Sequence, residues 1–151
     1  MSVPRTTGLR YLVSRSAAAY SPGSHAWLCL RNSGARSLSV EEISCCPETP
    51  TDSAITVEWL QDNAGTITNA LTPVPVDGSN AITPVTTAGY DGITGLGVFF
   101  TIFSGRKSFR YESRKDKRHT SNTSGSSYSR FAFSFCCSVP VQIHAYVVFE
   151  E

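Results

Sequence analysis

Phe131-Ala132-Phe133-Ser134-Phe135-Cys136-Cys137-Ser138-Val139-Pro140-Val141-Gln142-Ile143-His144-Ala145-Tyr146-Val147-Val148-Phe149 is the stretch that decides the fold. Every odd-numbered position in it is apolar, while most even positions are small or polar, as at Ser134, Ser138, Gln142 and His144. Successive side chains of a strand point to opposite faces, so the alternation predicts a ribbon with one face on a core and the other toward solvent or a neighbour. Pro140 falls on the non-core parity and has no ladder donor. The segment is therefore either two strands meeting at a bend or one long strand exposed at an edge there.

The same period recurs upstream. Ala26 to Arg31 sets Trp27 and Cys29 against Ala26, Leu28 and Leu30, a strand buried on both faces, and Asn32-Ser33-Gly34 turns the chain. Ser37 to Cys45 carries Leu38 and Val40 on one parity and Ile43 and Cys45 on the other; the switch at Glu41-Glu42 predicts a bulge, where one extra residue resets the facing. Ile55, Val57 and Trp59 alternate with Thr56 and Glu58, and Asp62-Asn63-Ala64-Gly65 has the chemistry of a hairpin turn leading into Thr66-Ile67-Thr68. Prolines 73, 75 and 84 mark an extended edge or a long connection around Asp77-Gly78-Ser79-Asn80. Four glycines between Gly89 and Gly97 lead into a strand at Val98 to Phe103; after Ser104-Gly105-Arg106-Lys107, Phe109 and Tyr111 form a short strand on the return. His119 to Ser129, rich in Ser and Thr, reads as a loop.

Seven or eight strands and no convincing helix give an all-β antiparallel sandwich of jelly-roll kind. Residues 1–24 read as an irregular N-terminal arm, in which a helical turn at Arg15 to Tyr20 is too short to stand alone, and residues 25–151 as the single sandwich domain. At 151 residues one core suffices. Hydrophobic residues make up 40% and charged residues 17%, below the roughly 25% typical of soluble domains, so the surface is polar largely through hydroxyls. The five cysteines, Cys29, Cys45, Cys46, Cys136 and Cys137, include two vicinal pairs and no CxxC; they read as reduced packing residues, with one inter-strand disulfide as the alternative. The N-terminus shows arginines but no apolar run of signal-peptide type, and Leu96 to Phe103 is too short to span a bilayer. The expectation is a soluble protein made in a cytoplasm, with no membrane partner.

No arrangement of reactive groups stands out. His25, His119 and His144 are scattered, with no second histidine or carboxylate at metal-ligand spacing. Gly92-Ile93-Thr94-Gly95-Leu96-Gly97 leads into a strand, whereas a phosphate loop must open a helix. Ser24-His25 lacks the spatial constellation of a catalytic pair, and Asn122-Thr123-Ser124 reads as a chance glycosylation match in a Ser-rich loop. These patterns point away from an enzyme and imply no cofactor and no metal.

The charge layout is more informative. Residues 1–40 hold five arginines and no acid, residues 41–91 hold eight acids and no lysine or arginine, and residues 106–118 hold seven cations against Glu112 and Asp116. Blocks of one sign steer association and fix register between complementary surfaces. The candidate partner-contact surface is therefore Arg106, Lys107, Arg110, Arg114, Lys115, Lys117 and Arg118, with Arg5, Arg10 and Arg15 from the first block. Alternatively, the basic block with Phe109 and Tyr111 grips a phosphate backbone, although a net charge of +1 is far from the strongly basic balance of a dedicated nucleic-acid domain.

With its strands laid out, the chain resembles the small β-sandwich structural proteins of tailed-phage virions, of the capsid cement or decoration type. The resemblance rests on Trp27-Leu28-Cys29-Leu30-Arg31-Asn32-Ser33-Gly34 feeding Leu38, Val40 and Ile43, on Ile55-Thr56-Val57-Glu58-Trp59, and on the acidic end Val147-Val148-Phe149-Glu150-Glu151. It implies a non-enzymatic protein on the outer surface of a virion. There it would bind the major capsid protein, often as a homotrimer, and strengthen the shell. The cysteine pairs and the basic block at 106–118 depart from that pattern. Two other readings stand beside it: a nucleic-acid-contacting shell or accessory protein with its arginines facing the genome, and a carbohydrate- or receptor-binding sandwich using Trp27, Trp59 or Tyr90 as a stacking platform. The alternation places both tryptophans in the core, against the last.

Overall fold

The computed structural model describes residues 9–19, 25–32, 38–48, 52–61, 64–76, 82–84, 86–94, 97–112, 119–121 and 130–151. Among them the chain is all β, with strands β1 (Arg10–Ala18), β2 (Leu28–Asn32), β3 (Leu38–Pro47), β4 (Ile55–Gln61), β5 (Ala64–Gly65), β6 (Asn69–Leu71), β7 (Val74–Pro75), β8 (Thr86–Tyr90), β9 (Ile93–Thr94), β10 (Gly97–Gly105), β11 (Phe109–Glu112), β12 (His119–Ser121), β13 (Arg130–Cys137) and β14 (Gln142–Glu150). Two antiparallel sheets face each other, one in the order β11-β3-β14-β1-β7 with β12 also on β3, the other β10-β4-β13-β2-β8-β6. A small third sheet joins β5 to β9.

Eight of these strands define the architecture. In chain order they are β1, β2, β3, β4, β10, β11, β13 and β14, and they pair first with last (β1 with β14), second with seventh (β2 with β13), third with sixth (β3 with β11) and fourth with fifth (β4 with β10). This nesting is one long hairpin rolled on itself, closed by the cross-pairings β14 with β3 and β13 with β4. It is a jelly roll. The count exceeds the expected seven or eight because short strands add to the roll: β5 to β9 from the Pro- and Gly-rich segment between β4 and β10, and β12 on β3.

The decisive stretch resolves as two strands meeting at a bend. β13 runs in one sheet and β14 in the other, with Ser138, Val139 and Pro140 at the corner. A strand that changes sheets must keep its apolar parity pointing between them. Phe131, Phe133, Phe135 and Cys137 accordingly face the same core as Ile143, Ala145, Val147 and Phe149, while Val139 at the corner is exposed. Against them pack Tyr11, Val13, Leu28, Leu30, Leu38, Val40, Ile43, Ile55, Val57 and Trp59. Trp59 meets Phe131 and Phe133 edge to face, and Trp27 tilts onto Phe135 at 4.7 Å between ring centroids. Each such side chain contributes roughly 1.5–3 kcal/mol by leaving water.

The predicted bulge in β3 is present. Val148 pairs with Glu42 and Phe149 with Val40, so Glu41 is the unpaired extra residue. Inward facing passes there from Leu38 and Val40 to Ile43 and Cys45.

Several expectations are corrected. Residues 10–18, placed in the arm and partly in a helical turn, form β1, which pairs along its whole length with β14 and also with β7. Its pattern was obscured because Arg15 occupies an inward position opposite Ala145 between apolar Val13 and Ala17. The hairpin over Ile55 to Thr68 does not form: both edges of β4 are taken by β10 and β13, and Ala64-Gly65 pairs with β9 instead. Local turn chemistry loses there to long-range apolar pairing. Asp62 and Asn63 lie outside the described residues. β11 forms, but crosses to the other sheet rather than returning along β10, held by Phe103 stacked on Phe109 at 4.5 Å. His119 to Ser121, expected as loop, pairs with Val40 to Leu38; residues 122–129 lie outside the described residues.

The segment between β4 and β10 also covers the outer face of the β4–β13–β2 sheet, where Ile67 packs on Ala26, Cys29, Leu60 and Ala132. β6 approaches β8 so closely that a side-chain carbon on Gly89 would sit 2.2 Å from the Asn69 carbonyl oxygen. Only glycine fits there.

Candidate interaction surface

The outer face of the β3–β14–β1 sheet holds two of the five described candidate cations, Arg10 and Arg110, and it shows what the charge blocks do. Arg10, opening β1, donates through Nε and Nη2 to the two carboxylate oxygens of Glu41, at 2.8 and 2.6 Å. The bulge turns this carboxylate toward β1. Arg110 on β11 donates to Glu42, which also accepts from the Tyr146 hydroxyl at 3.0 Å; Glu112 lies 3.9 Å from Arg110. The hydrogen bond to Glu42, and then its charge, raises the Arg110 pKa above the ordinary arginine value. The first two acids of the acidic block thus bind one arginine from each basic block. Both pairs are partly exposed, with the arginine side more open than the carboxylate; surface pairs add little stability, and these serve to fix the β1 and β11 sides of the sheet around the bulge.

Arg15 has a different role. Its guanidinium lies 3.5 Å from the centroid of Tyr90 and 4.6 Å from that of Trp27, and Nη1 donates to the Trp27 carbonyl at 2.7 Å. It staples the end of β1 to the β2–β8 side of the roll through cation–π contact. Arg106 and Lys107 are exposed in the turn between β10 and β11. Arg5, Arg114, Lys115, Lys117 and Arg118 lie outside the described residues. The described candidates therefore divide: Arg10, Arg15 and Arg110 are engaged within the subunit, and Arg106 and Lys107 face outward. Glu41, Glu42 and Tyr146 were not singled out from the sequence as part of this surface, although two adjacent acids at a break in parity were the available signal.

The platform residues are occupied as well. Trp27 and Trp59 are core, and Tyr90 carries Arg15 on its face.

Across the same outer face runs a row of polar groups in register: Ser16 opposite His144, and His144 opposite Cys46. Ser16 Oγ and His144 Nδ1 are 2.7 Å apart, and Ser108 Oγ donates to Cys46 Sγ at 3.2 Å. All five cysteines are free thiols; Cys46 is exposed and the other four are buried. Burial, reinforced by neighbouring Cys46, pushes the Cys45 thiol up to about 12, so it stays protonated and inert. A maleimide reagent at pH 8 is expected to label one thiol in the folded protein and all five after denaturation. Native labelling elsewhere than at Cys46, read by peptide mass, would contradict this placement. Among the described residues, no group of three or more His, Cys, Asp or Glu side chains is placed to hold a metal ion. No helix among them is long and apolar enough to cross a membrane.

No protein-family model, curated protein or solved structure matches the chain.

Proposed function

We propose that this chain is a non-enzymatic structural subunit of a virion shell, which works by adhering to copies of itself and to neighbouring shell proteins. The observation that carries the reading is the rolled hairpin of eight nested strands, an arrangement used by viral capsid domains, lectins and cupins. The packing of the interior supports the first of these. Between the sheets lie the fully buried side chains of Tyr11, Trp27, Phe133, Phe135 and Phe149, and the three rings considered as a sugar platform, Trp27, Trp59 and Tyr90, are buried or covered by Arg15. Outward, among the described residues, stand polar strand faces, the charged turn at Arg106 and Lys107, and exposed apolar positions at Val74, Val76, Ile82 and Val139. Fold likeness alone does not establish function, and the packed interior together with the exposed charged and apolar positions supports the reading beside it.

The decoration role is the narrower form of the same reading: a trimer seated on a separate major capsid protein. Many weak contacts multiplied by symmetry would supply the avidity in either case. Sedimentation of the purified chain across a concentration series is the test. Closed particles are expected for a shell-forming subunit, and trimers that bind preformed capsids for a decoration subunit. A protein that stays monomeric throughout and ignores capsids would overturn the proposal.

A further inference from the structure

Four connections between the two sheets gather at one end of the roll: β1 to β2, β3 to β4, β10 to β11 and β13 to β14. Their closeness is recorded in the register, with Ala18 opposite Gln142, Ile143 opposite Pro47 and Phe109 opposite Cys45. It is recorded again between the connections themselves. Ser108 reaches Cys46, the Glu48 amide donates to the Gln142 carbonyl at 2.9 Å, and Ser138 Oγ meets Ser53 Oγ at 3.3 Å.

This end carries charges of both signs in neighbouring loops. Arg106 and Lys107 are exposed in the β10–β11 turn, and Glu48 and Asp52 are exposed between β3 and β4. On the adjacent sheet face, Glu41 and Glu42 are bound by Arg10 and Arg110. Among the described residues, by contrast, Arg106, Lys107, Glu48 and Asp52 enter no ion pair. Beside the acidic loop, Ser138, Val139 and Pro140 are exposed, Val139 with 49% of its surface open. A surface that places a cationic loop next to an acidic one, both unused internally, is complementary to a second copy of itself. No outside partner need supply either sign.

We propose that this end of the roll is a contact between copies of the chain, with Arg106 and Lys107 of one copy set against Glu48 and Asp52 of the next and Val139 beside them. The inference rests on the shell-subunit reading and deepens it by naming the surface. If the contact is isologous, a dimer satisfies both sets of charges at once. If it is heterologous, each copy keeps one free side and a ring closes it. Rim charges of this kind govern association rate, register and salt sensitivity more than they govern folding.

The experiment uses the full chain in four forms: wild type, R106E/K107E, E48K/D52K and the combination of all four changes. The affected side chains are exposed, so all forms are expected to share the wild-type circular dichroism and melting temperature. In sedimentation, each double reversal is expected to weaken self-association by roughly tenfold or more, because like charges then face each other. The fourfold swap restores attraction and is expected to restore association. So is mixing the two double variants, one all acidic and one all basic at this end. Wild-type association is also expected to fall as salt rises from about 0.05 to 0.5 M. Association that ignores both reversals, or reversals that the fourfold swap does not rescue, would overturn the inference while leaving the shell reading intact. Swap-rescued association that stops at a small oligomer without closed particles or capsid binding would support the inference and count against the shell. A wild type that never associates would overturn both.

Discussion

Deleting Ser44 is expected to unfold the protein, whereas deleting Glu41, three residues earlier in the same central strand, is expected to leave it folded. The contrast follows from the bulge. Without Glu41, the strand reads Leu38 in, Ser39 out, Val40 in, Glu42 out, Ile43 in: regular alternation, with every core residue still inward. The loss is the Arg10–Glu41 pair, a partly exposed contact for which a cost of about 0–1 kcal/mol is typical. Without Ser44, the only way to keep both ends in register is to let the bulge absorb the gap, and the strand then turns Glu42 into the core and Ile43 toward solvent. Exposing Ile43, now fully buried, costs roughly 1.5–3 kcal/mol. Forcing a carboxylate into this core position opposite Val147 costs several kcal/mol more. The sum is comparable with the whole stability of a domain this size, about 5–15 kcal/mol. Urea unfolding followed by far-UV circular dichroism measures both variants. A Ser44 deletion as stable as wild type, or a Glu41 deletion that does not fold, would remove the bulge from the account.

The second large effect is expected at Trp27. The indole is fully buried, packs against Phe135, donates through Nε1 to the Ala18 carbonyl at 3.0 Å and lies beside the Arg15 guanidinium. It therefore joins the end of β1, the start of β2 and the middle of β13. Replacing it with alanine is expected to cost about 3–5 kcal/mol, the range for large aromatic-to-alanine changes in a packed core. It also leaves Arg15 with only Tyr90 to stack on. Trp27→Phe keeps most of the volume but loses the hydrogen bond to Ala18, and is expected to fall between the two. Thermal and urea unfolding read both. An alanine variant within about 1 kcal/mol of wild type would mean that Trp27 is not the pivot between the sheets, since ordinary surface changes fall below that.

Where two-residue periodicity was unbroken, the fold was legible from residue types alone. The alternation from Phe131 to Phe149 gave the strand character and the common core face, and Pro140 marked where a bend or an exposed edge must fall; the structure makes it a bend between two strands. The parity break at Glu41-Glu42 gave the bulge. β1 was not legible because Arg15 stands at an inward position, where the rings of Tyr90 and Trp27 and the Trp27 carbonyl, brought in from other strands, make a cation tolerable. β8 was hidden by Gly89, whose missing side chain is required by the close approach of β6 and carries no strand signal. The partners of β4 were misassigned because a turn motif reports only on its own few residues, whereas β10 and β13 arrive from much farther along the chain.

The interaction surface was half legible. Charge blocks along the chain identified which residues carry the electrostatics, but opposite blocks meet across strands that only the folded register brings together. Arg10 and Arg110 are therefore absorbed by Glu41 and Glu42, and of the described candidate cations Arg106 and Lys107, at the end of the roll, face outward.

All of these conclusions rest on the nested pairing of the eight strands, and nuclear Overhauser contacts in the labelled protein test it most directly. One cross-strand backbone contact per nested pair is sufficient: Val13 with Val147, Leu30 with Phe131, Ile43 with Tyr111, and Val57 with Phe103. All four are expected together. Contacts from Tyr111 to the residues of β10 in place of Ile43 would instead show a simple meander, and would contradict the jelly roll and the shell-subunit reading built on it.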